Sequence, residues 1–230
     1  MGTQVTFQRP DGRSTNGYLA KPGRAHPPGL VVVQEWWGLQ DQIRGLCDRF
    51  AAAGFEALAP DLYGGRTVPY HDAQAAGELM ASLDFTETTD QILRGAAAYL
   101  GSAGAKVGLT GFCMGGAITI LGAIRNPEFA AAVCFYGLPP AEISSPADIR
   151  VPLQAHFANR DDWCTPAEVD KFAAAAAKAE IPVEIFRYEA EHGFVNEERS
   201  DAHDRACAED AWQRTIGFFE RYLSSRIHLD

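Results

Sequence analysis

The segment that most narrows what this chain can fold into is Lys106-Val107-Gly108-Leu109-Thr110-Gly111-Phe112-Cys113-Met114-Gly115-Gly116. An apolar run of strand length enters a Gly-x-Cys-x-Gly-Gly turn, and a helical pattern leaves it from Ala117 onward. So tight a strand-to-helix turn holds its apex residue in strained backbone geometry, and Cβ atoms at Gly111 or Gly115 would collide with neighbouring backbone. The turn also sets the cysteine sulfur at a helix N-terminus, where free N–H groups and the helix dipole stabilise a thiolate and later an oxyanion. The bland alternative is a buried structural cysteine, since cysteine is among the most buried residue types. Partners downstream weigh against it and in favour of Cys113 as a nucleophile on an elbow.

Elsewhere, short apolar runs alternate with longer helical patterns, the signature of a mostly parallel sheet covered by helices. Strands are expected at Gln4–Gln8, Thr15–Ala20, Leu30–Gln34, Phe55–Ala59, Lys106–Thr110, Ala131–Tyr136, Pro152–Phe157 and Val183–Tyr188. The first two read as an antiparallel pair, because Pro10-Asp11-Gly12 between them is short and rich in turn formers. Helices are expected near Asp41–Ala53, His71–Ala81, Thr86–Leu100, Met114–Arg125, Pro166–Ala179 and Ala206–Ser224. Leu30–Val33 and Ala131–Cys134 are apolar without alternation, as central strands buried on both faces require. With 230 residues, no linker and no internal repeat, one domain over 1–230 is expected.

Composition excludes several functions. A formal charge of −10 argues against nucleic-acid binding, which needs clustered Lys and Arg. No run approaches the apolar length of a membrane span, and Met1 to Arg9 lacks the pattern of a signal peptide. Met1-Gly2 with Thr6 fits a loose myristoylation pattern, but Val5 and Phe7 read better as alternating residues of the first strand. The five cysteines, Cys47, Cys113, Cys134, Cys164 and Cys207, are odd in number and lack zinc-like spacing. Free thiols in a reducing cytoplasm are the simpler reading, with neither metal nor organic cofactor implied.

An elbow nucleophile needs a histidine base, and the base needs an acid to hold its tautomer; in chain order the acid and then the histidine follow the nucleophile. Four histidines follow Cys113. His156 lies inside an expected strand, His203 in a charged run and His228 near the C-terminus. His192 follows the last expected strand, in Glu191-His192-Gly193-Phe194, where a base would be delivered. The acid should end the preceding strand, and in Ala158-Asn159-Arg160-Asp161-Asp162 two aspartates compete. Counting from the strand end favours Asp161; counting back from Pro166 favours Asp162. Asp161 is preferred because a strand end fixes geometry more firmly than a variable turn.

With these elements placed, the sequence resembles the dienelactone hydrolase family over nearly its whole length. Two further stretches match it, Val33-Gln34-Glu35-Trp36-Trp37-Gly38 after an early buried strand and Ala59-Pro60-Asp61-Leu62-Tyr63 after the next. The resemblance implies an α/β-hydrolase fold and a glutamate, here Glu35, that contacts the resting thiol. Physically, a carboxylate at the edge of a buried strand is costly unless partnered or functional, the alternative being a surface salt-bridge glutamate. Elbow geometry assigns the oxyanion-hole N–H groups to Trp36 and Met114. Trp37, Phe112, Trp163 and Phe194, with Trp36, either line an apolar pocket or pack the core.

The reaction implied is cleavage of a small carboxylic ester or lactone through a thioester at Cys113, with His192 and Asp161 completing the triad. A thioesterase or promiscuous carboxylesterase would use the same machinery; a ligand-binding or redox-sensing hydrolase fold would leave the triad idle. The chain also departs from the family. Members that cleave dienelactone bind its carboxylate with arginines, one a few residues beyond the histidine. Here that stretch holds Asn196, Arg199 comes later, and no arginine lies between Thr67 and Leu83. Neutral lactones or aryl esters are therefore expected to be cleaved at least as well as carboxylated analogues of equal size.

Overall fold

Leu30 to Val33 are all buried because each face of their strand is covered: Val31 and Val33 pack into one apolar cluster, Leu30 and Val32 into another. The computed structural model, which describes residues 1–102 and 104–224, builds one eight-stranded sheet around this strand. The strands are β1 (Thr3–Gln8), β2 (Ser14–Ala20), β3 (Gly29–Val33), β4 (Glu56–Pro60), β5 (Val107–Phe112), β6 (Ala131–Phe135), β7 (Leu153–Arg160) and β8 (Val183–Glu191). Their order is β1-β2-β4-β3-β5-β6-β7-β8. β1 and β2 pair antiparallel, as does β2 with β4, and every later pairing is parallel. Parallel neighbours need crossover helices, which is why helices cover both faces.

Helices α1 (Asp41–Ala52) and α7 (Arg205–Leu223) bury Ile43, Phe50, Ala211 and Phe218 against one face of the sheet. The other face takes α4 (Arg94–Gly101), α5 (Met114–Arg125) and α6 (Pro166–Ala176), through Leu100, Ile118 and Phe172. α2 (Ala73–Ala81) lies outside the strands' ends, starting at Asp72, whose side chain accepts the Ala75 N–H. Thr165 and Glu168 form a reciprocal capping box ahead of α6, with Pro166 in the first turn, where a missing N–H costs nothing.

Several elements differ from the sequence reading; among them β8 runs on to Glu191, beyond the expected Tyr188, and α6 ends at Ala176, short of the expected Ala179. The helix expected over Thr86–Leu100 is α3 (Phe85–Glu87), a π-helical stretch (Thr88–Leu93) and then α4. The Asn126 amide donates to the Thr89 carbonyl at 2.8 Å, so a group from outside the helix claims an acceptor of its ladder. β7 runs on to Arg160, beyond the expected Phe157, because Asn159 and Arg160 reach Glu189 and Glu191 of β8 and keep the two strands together. His228 lies outside the described residues.

Candidate active site

The carboxyl ends of β3, β5, β6, β7 and β8 converge on a cavity of about 440 Å³. Cys113 sits in its wall, between the end of β5 and the start of α5, with φ +56°. A positive φ is unfavourable for any residue with a Cβ, so this backbone is strained and is held by its surroundings. Those surroundings are tight: a Cβ on Gly111 would fall against the Gly115 carbonyl, and one on Gly115 against the Val33 carbonyl. The Cys113 N–H donates to Phe135 O at 3.0 Å, tying the turn to β6. Tyr63, beyond β4, donates its hydroxyl to Met114 Sδ at 3.2 Å, steadying the first residue of α5.

His192 follows β8 and is largely buried. Its Nδ1 lies 2.8 Å from Asp161 Oδ2, and Asp161 stands immediately after β7. The other oxygen of Asp161 accepts the N–H groups of Trp163 at 2.7 Å and Cys164 at 2.9 Å. Asp162 is exposed, so the strand end and not the turn before Pro166 delivers the carboxylate. Burial disfavours the Asp161 anion, but His192 and the two N–H donors outweigh it and hold its pKa below the usual carboxylate range. Burial also opposes a charge on His192, yet Cys113 and Asp161 prevail and raise its pKa to about 10. With Nδ1 bonded to Asp161, Nε2 is the nitrogen left for Cys113.

Glu35 follows β3, lines the cavity and is 3% exposed, so it is no surface ion-pair residue. Its Oε1 accepts the Tyr136 hydroxyl at 3.2 Å and its Oε2 the Asn196 amide at 2.8 Å. Each carboxylate oxygen thus accepts one hydrogen bond, and Glu35 shares the cavity wall with Cys113. Burial raises the Glu35 pKa, and bonds from Asn196 and Tyr136, with the nearby charges of His192 and Arg199, oppose that shift in part. Trp36 follows Glu35 directly, and no backbone acceptor takes its N–H among the described residues. The Met114 N–H opens α5 and has no partner within the helix.

Trp36, Trp37 and Trp163 line the cavity in an edge-on series, with ring centroids 5.0 and 4.9 Å apart. Trp163 is 59% exposed at the mouth, 6.4 Å from His192. Phe112 and Phe194 do not belong to the lining, which corrects that expectation. Phe112 points from β5 into the cluster under α1 and α7 and stacks on Phe135; Phe194 packs between Tyr136 and Tyr188. The sequence reading missed Tyr136 and Cys164, both in the lining. Tyr136 follows β6 directly, and ligand sites in such sheets gather at the carboxyl ends of strands, a signal that would have found it. No group of three or more His, Cys, Asp or Glu side chains placed to hold a metal ion occurs among the described residues. None of the described helices is long and apolar enough to cross a membrane.

Comparisons with known proteins agree with this geometry. The model of the dienelactone hydrolase family matches residues 15–223. A protein named usf from Aquifex pyrophilus is 36% identical, covering 97% of this chain and 100% of its own. A protein of Aquifex aeolicus, provisionally named a carboxymethylenebutenolidase, is 33% identical over 97% of this chain and 100% of its own. A crystal structure from Klebsiella pneumoniae, provisionally named a dienelactone hydrolase, superposes with a TM-score of 0.85 at 30% identity, covering 96% of this chain and all of that one. The strained cysteine elbow, the strand order and these matches lead to one assignment: the chain belongs to the dienelactone hydrolase family and is a hydrolase of ester bonds on the α/β-hydrolase fold.

Proposed function

We propose that the protein cleaves small carboxylic esters or lactones through a thioester on Cys113, with His192 and Asp161 as its acid–base pair. The observation that carries this reading is the 2.8 Å bond between His192 Nδ1 and Asp161 Oδ2, which turns the other ring nitrogen toward a cysteine held at positive φ. Against the opposing effect of burial, Cys113 and Asp161 raise the His192 pKa to about 10, which keeps the imidazole protonated at neutral pH. The Cys113 thiolate attacks the ester carbonyl, and the Trp36 and Met114 N–H groups receive the oxyanion. His192 gives its proton to the departing alkoxide, leaving the acyl group as a thioester. Water then attacks the thioester while His192 takes the water proton, and the acid leaves as the thiolate–imidazolium pair is restored.

Glu35 supports the site from below, held by Tyr136 and Asn196. Five unpaired thiols, one of them the nucleophile, fit a reducing cytoplasm. The test is mass spectrometry of the protein quenched during turnover of an activated ester. An adduct of acyl mass on the Cys113 peptide, lost after stoichiometric iodoacetamide labelling together with the activity, is expected. Undiminished hydrolysis by protein fully alkylated at Cys113 would refute the reading.

A further inference from the structure

We infer that the ester taken by this site carries an extended apolar acyl arm laid along α2. The inference rests on the hydrolase reading of Cys113. Its basis is the division of the cavity wall. Glu35, Tyr136, His192 and Arg199 stand on segments that follow β3, β6 and β8, and the one polar group of the lining beside α2 is the unpartnered hydroxyl of Tyr70, ahead of that helix, among the described residues. The apolar wall comes from other elements: Ala73 and Met80 of α2, Phe85 of α3, Ala117 of α5, and Leu138 and Pro140 beyond β6.

The apolar wall has length as well as character. Ala73 and Met80 lie two helical turns apart on one face of α2, so its two apolar contacts with the cavity stand about 10 Å apart along the helix. The wall begins near the nucleophile, because Ala117 stands one turn along the helix that Cys113 caps. The cavity, about 440 Å³, is of a size that encloses a drug-like molecule, far more than one small lactone ring needs. Orientation follows from the chemistry. The leaving oxygen must meet the His192 proton on the polar side, so the acyl substituent points the other way, toward α5 and α2. With C–C bonds of about 1.5 Å, an extended arm of roughly six to eight carbon atoms spans that wall.

The experiment measures kcat/KM of the full-length protein on p-nitrophenyl esters from acetate to decanoate. A second series of acetates has alcohols of increasing length. In the acyl series kcat/KM is expected to rise about two- to fourfold per buried methylene up to hexanoate or octanoate and then level. The alcohol series should stay flat. Met80→Trp and Phe85→Trp, confirmed folded by circular dichroism, should lower the octanoate-to-acetate ratio at least tenfold. Cleavage of acetate with no gain from longer acyl groups would overturn the inference while leaving the hydrolase reading intact. A gain in the alcohol series alone, or an octanoate-to-acetate ratio unmoved in both tryptophan variants, would also overturn it. Failure to cleave any ester would remove the hydrolase reading and this inference with it.

Discussion

The β7–β8 pair carries two histidines with opposite fates. His156, inside β7, is fully buried between Phe135 and Phe186, with ring centroids 4.7 and 5.6 Å away and planes nearly parallel. Its Nδ1 accepts the Tyr188 hydroxyl at 2.8 Å, and its Nε2–H donates to Gln154 Oε1 at 2.9 Å. Both ring nitrogens are satisfied in the neutral tautomer, and burial, helped by Arg214, lowers the pKa to about 3. His192, just past β8, is also largely buried, but its partners are Asp161 and Cys113, and its pKa rises to about 10. Burial acts in the same direction on both rings. Neutral partners leave that effect in control at His156, whereas acidic partners reverse it at His192. The sheet's interior therefore holds a structural histidine and its carboxyl edge the histidine proposed for the chemistry.

The strongest way to break this contrast is to remove the proposed nucleophile. Cys113→Ala is expected to lower kcat on activated esters by about 10⁴ or more, with the fold retained. It also removes a group that raises His192, so NMR titration should show the His192 pKa falling from about 10 while His156 stays neutral. A His192 pKa unmoved in the variant would mean that Asp161 alone sustains it. Linkage gives the accompanying stability profile. Because the folded pKa of His192 lies above its unfolded value, its contribution is fully present below pH 6.5 and lost as pH rises toward about 10.

Asp161 is the next lever. Asp161→Asn should lower kcat about 10³- to 10⁴-fold by releasing the imidazole tautomer, whereas Asp162→Asn should change it by no more than about twofold. Equal losses in the two variants would show that the loop as a whole, and not the 2.8 Å bond, positions His192.

What was legible in the sequence follows the same division between backbone pattern and local partners. The apolar, non-alternating Leu30–Val33 announces a strand covered on both faces, and the glycines around Cys113 announce a turn in which a Cβ has no room. Asp161 and His192 were chosen because each comes within a few residues of the end of an expected strand, and in the structure each stands directly after one. The rest depended on which way side chains point. Phe112 lies next to Cys113 in sequence, yet strand alternation sends it to the opposite face from the cavity. Glu35 was placed only at the edge of a buried strand, with a surface ion pair as the alternative, because its partners Tyr136 and Asn196 come from distant segments that only the fold brings together. Polar residues at Asn159 and Arg160 hid the extension of β7, since cross-strand carboxylates and not apolar burial hold it. The α2 wall was read as a helix, while its place over the cavity depends on tertiary packing.

The structural histidine offers a smaller, opposite test. His156→Phe leaves the Tyr188 hydroxyl and Gln154 Oε1 without their buried partner and should cost about 2–4 kcal/mol of stability at pH 7. Turnover by the folded variant should stay within about twofold of wild type, because His156 does not line the cavity. The pH dependence has the opposite sign to that of His192. With the folded pKa lowered to about 3, stability from His156 is present above pH 6.5 and lost as pH falls toward 3. Urea denaturation at several pH values should show the gap between variant and wild type narrowing on acidification. A gap that widens instead would mean that His156 takes up its proton within the fold.

The smallest expected effect concerns charge recognition at the chemical edge. Asn196 stands beyond His192 where a carboxylate-binding arginine was sought, and it is fully buried and employed: its amide donates to Glu35, and its oxygen accepts the Glu198 N–H at 3.0 Å. Arg199 is the one Arg or Lys in the lining among the described residues, and its guanidinium is bonded to Asp201 at 2.6 Å. Asp201 is well exposed, and such a pair contributes about 1 kcal/mol at most, so a carboxylate could compete for Arg199. That carboxylate would, however, enter a wall that also contains Glu35, on a protein of net charge −10. A dedicated bidentate arginine would favour anionic substrates by about 2–3 kcal/mol, or roughly thirty- to more than a hundredfold in kcat/KM. Without one, a neutral ester should be cleaved at least as well as a carboxylated analogue of equal size, with a ratio near one at physiological salt. The measurement is kcat/KM for such a matched pair at low and physiological salt, in wild type and Arg199→Met. A thirtyfold preference for the carboxylated ester that disappears in Arg199→Met would show Arg199 leaving Asp201 for the substrate, and the chemical edge would then recognise an anion after all.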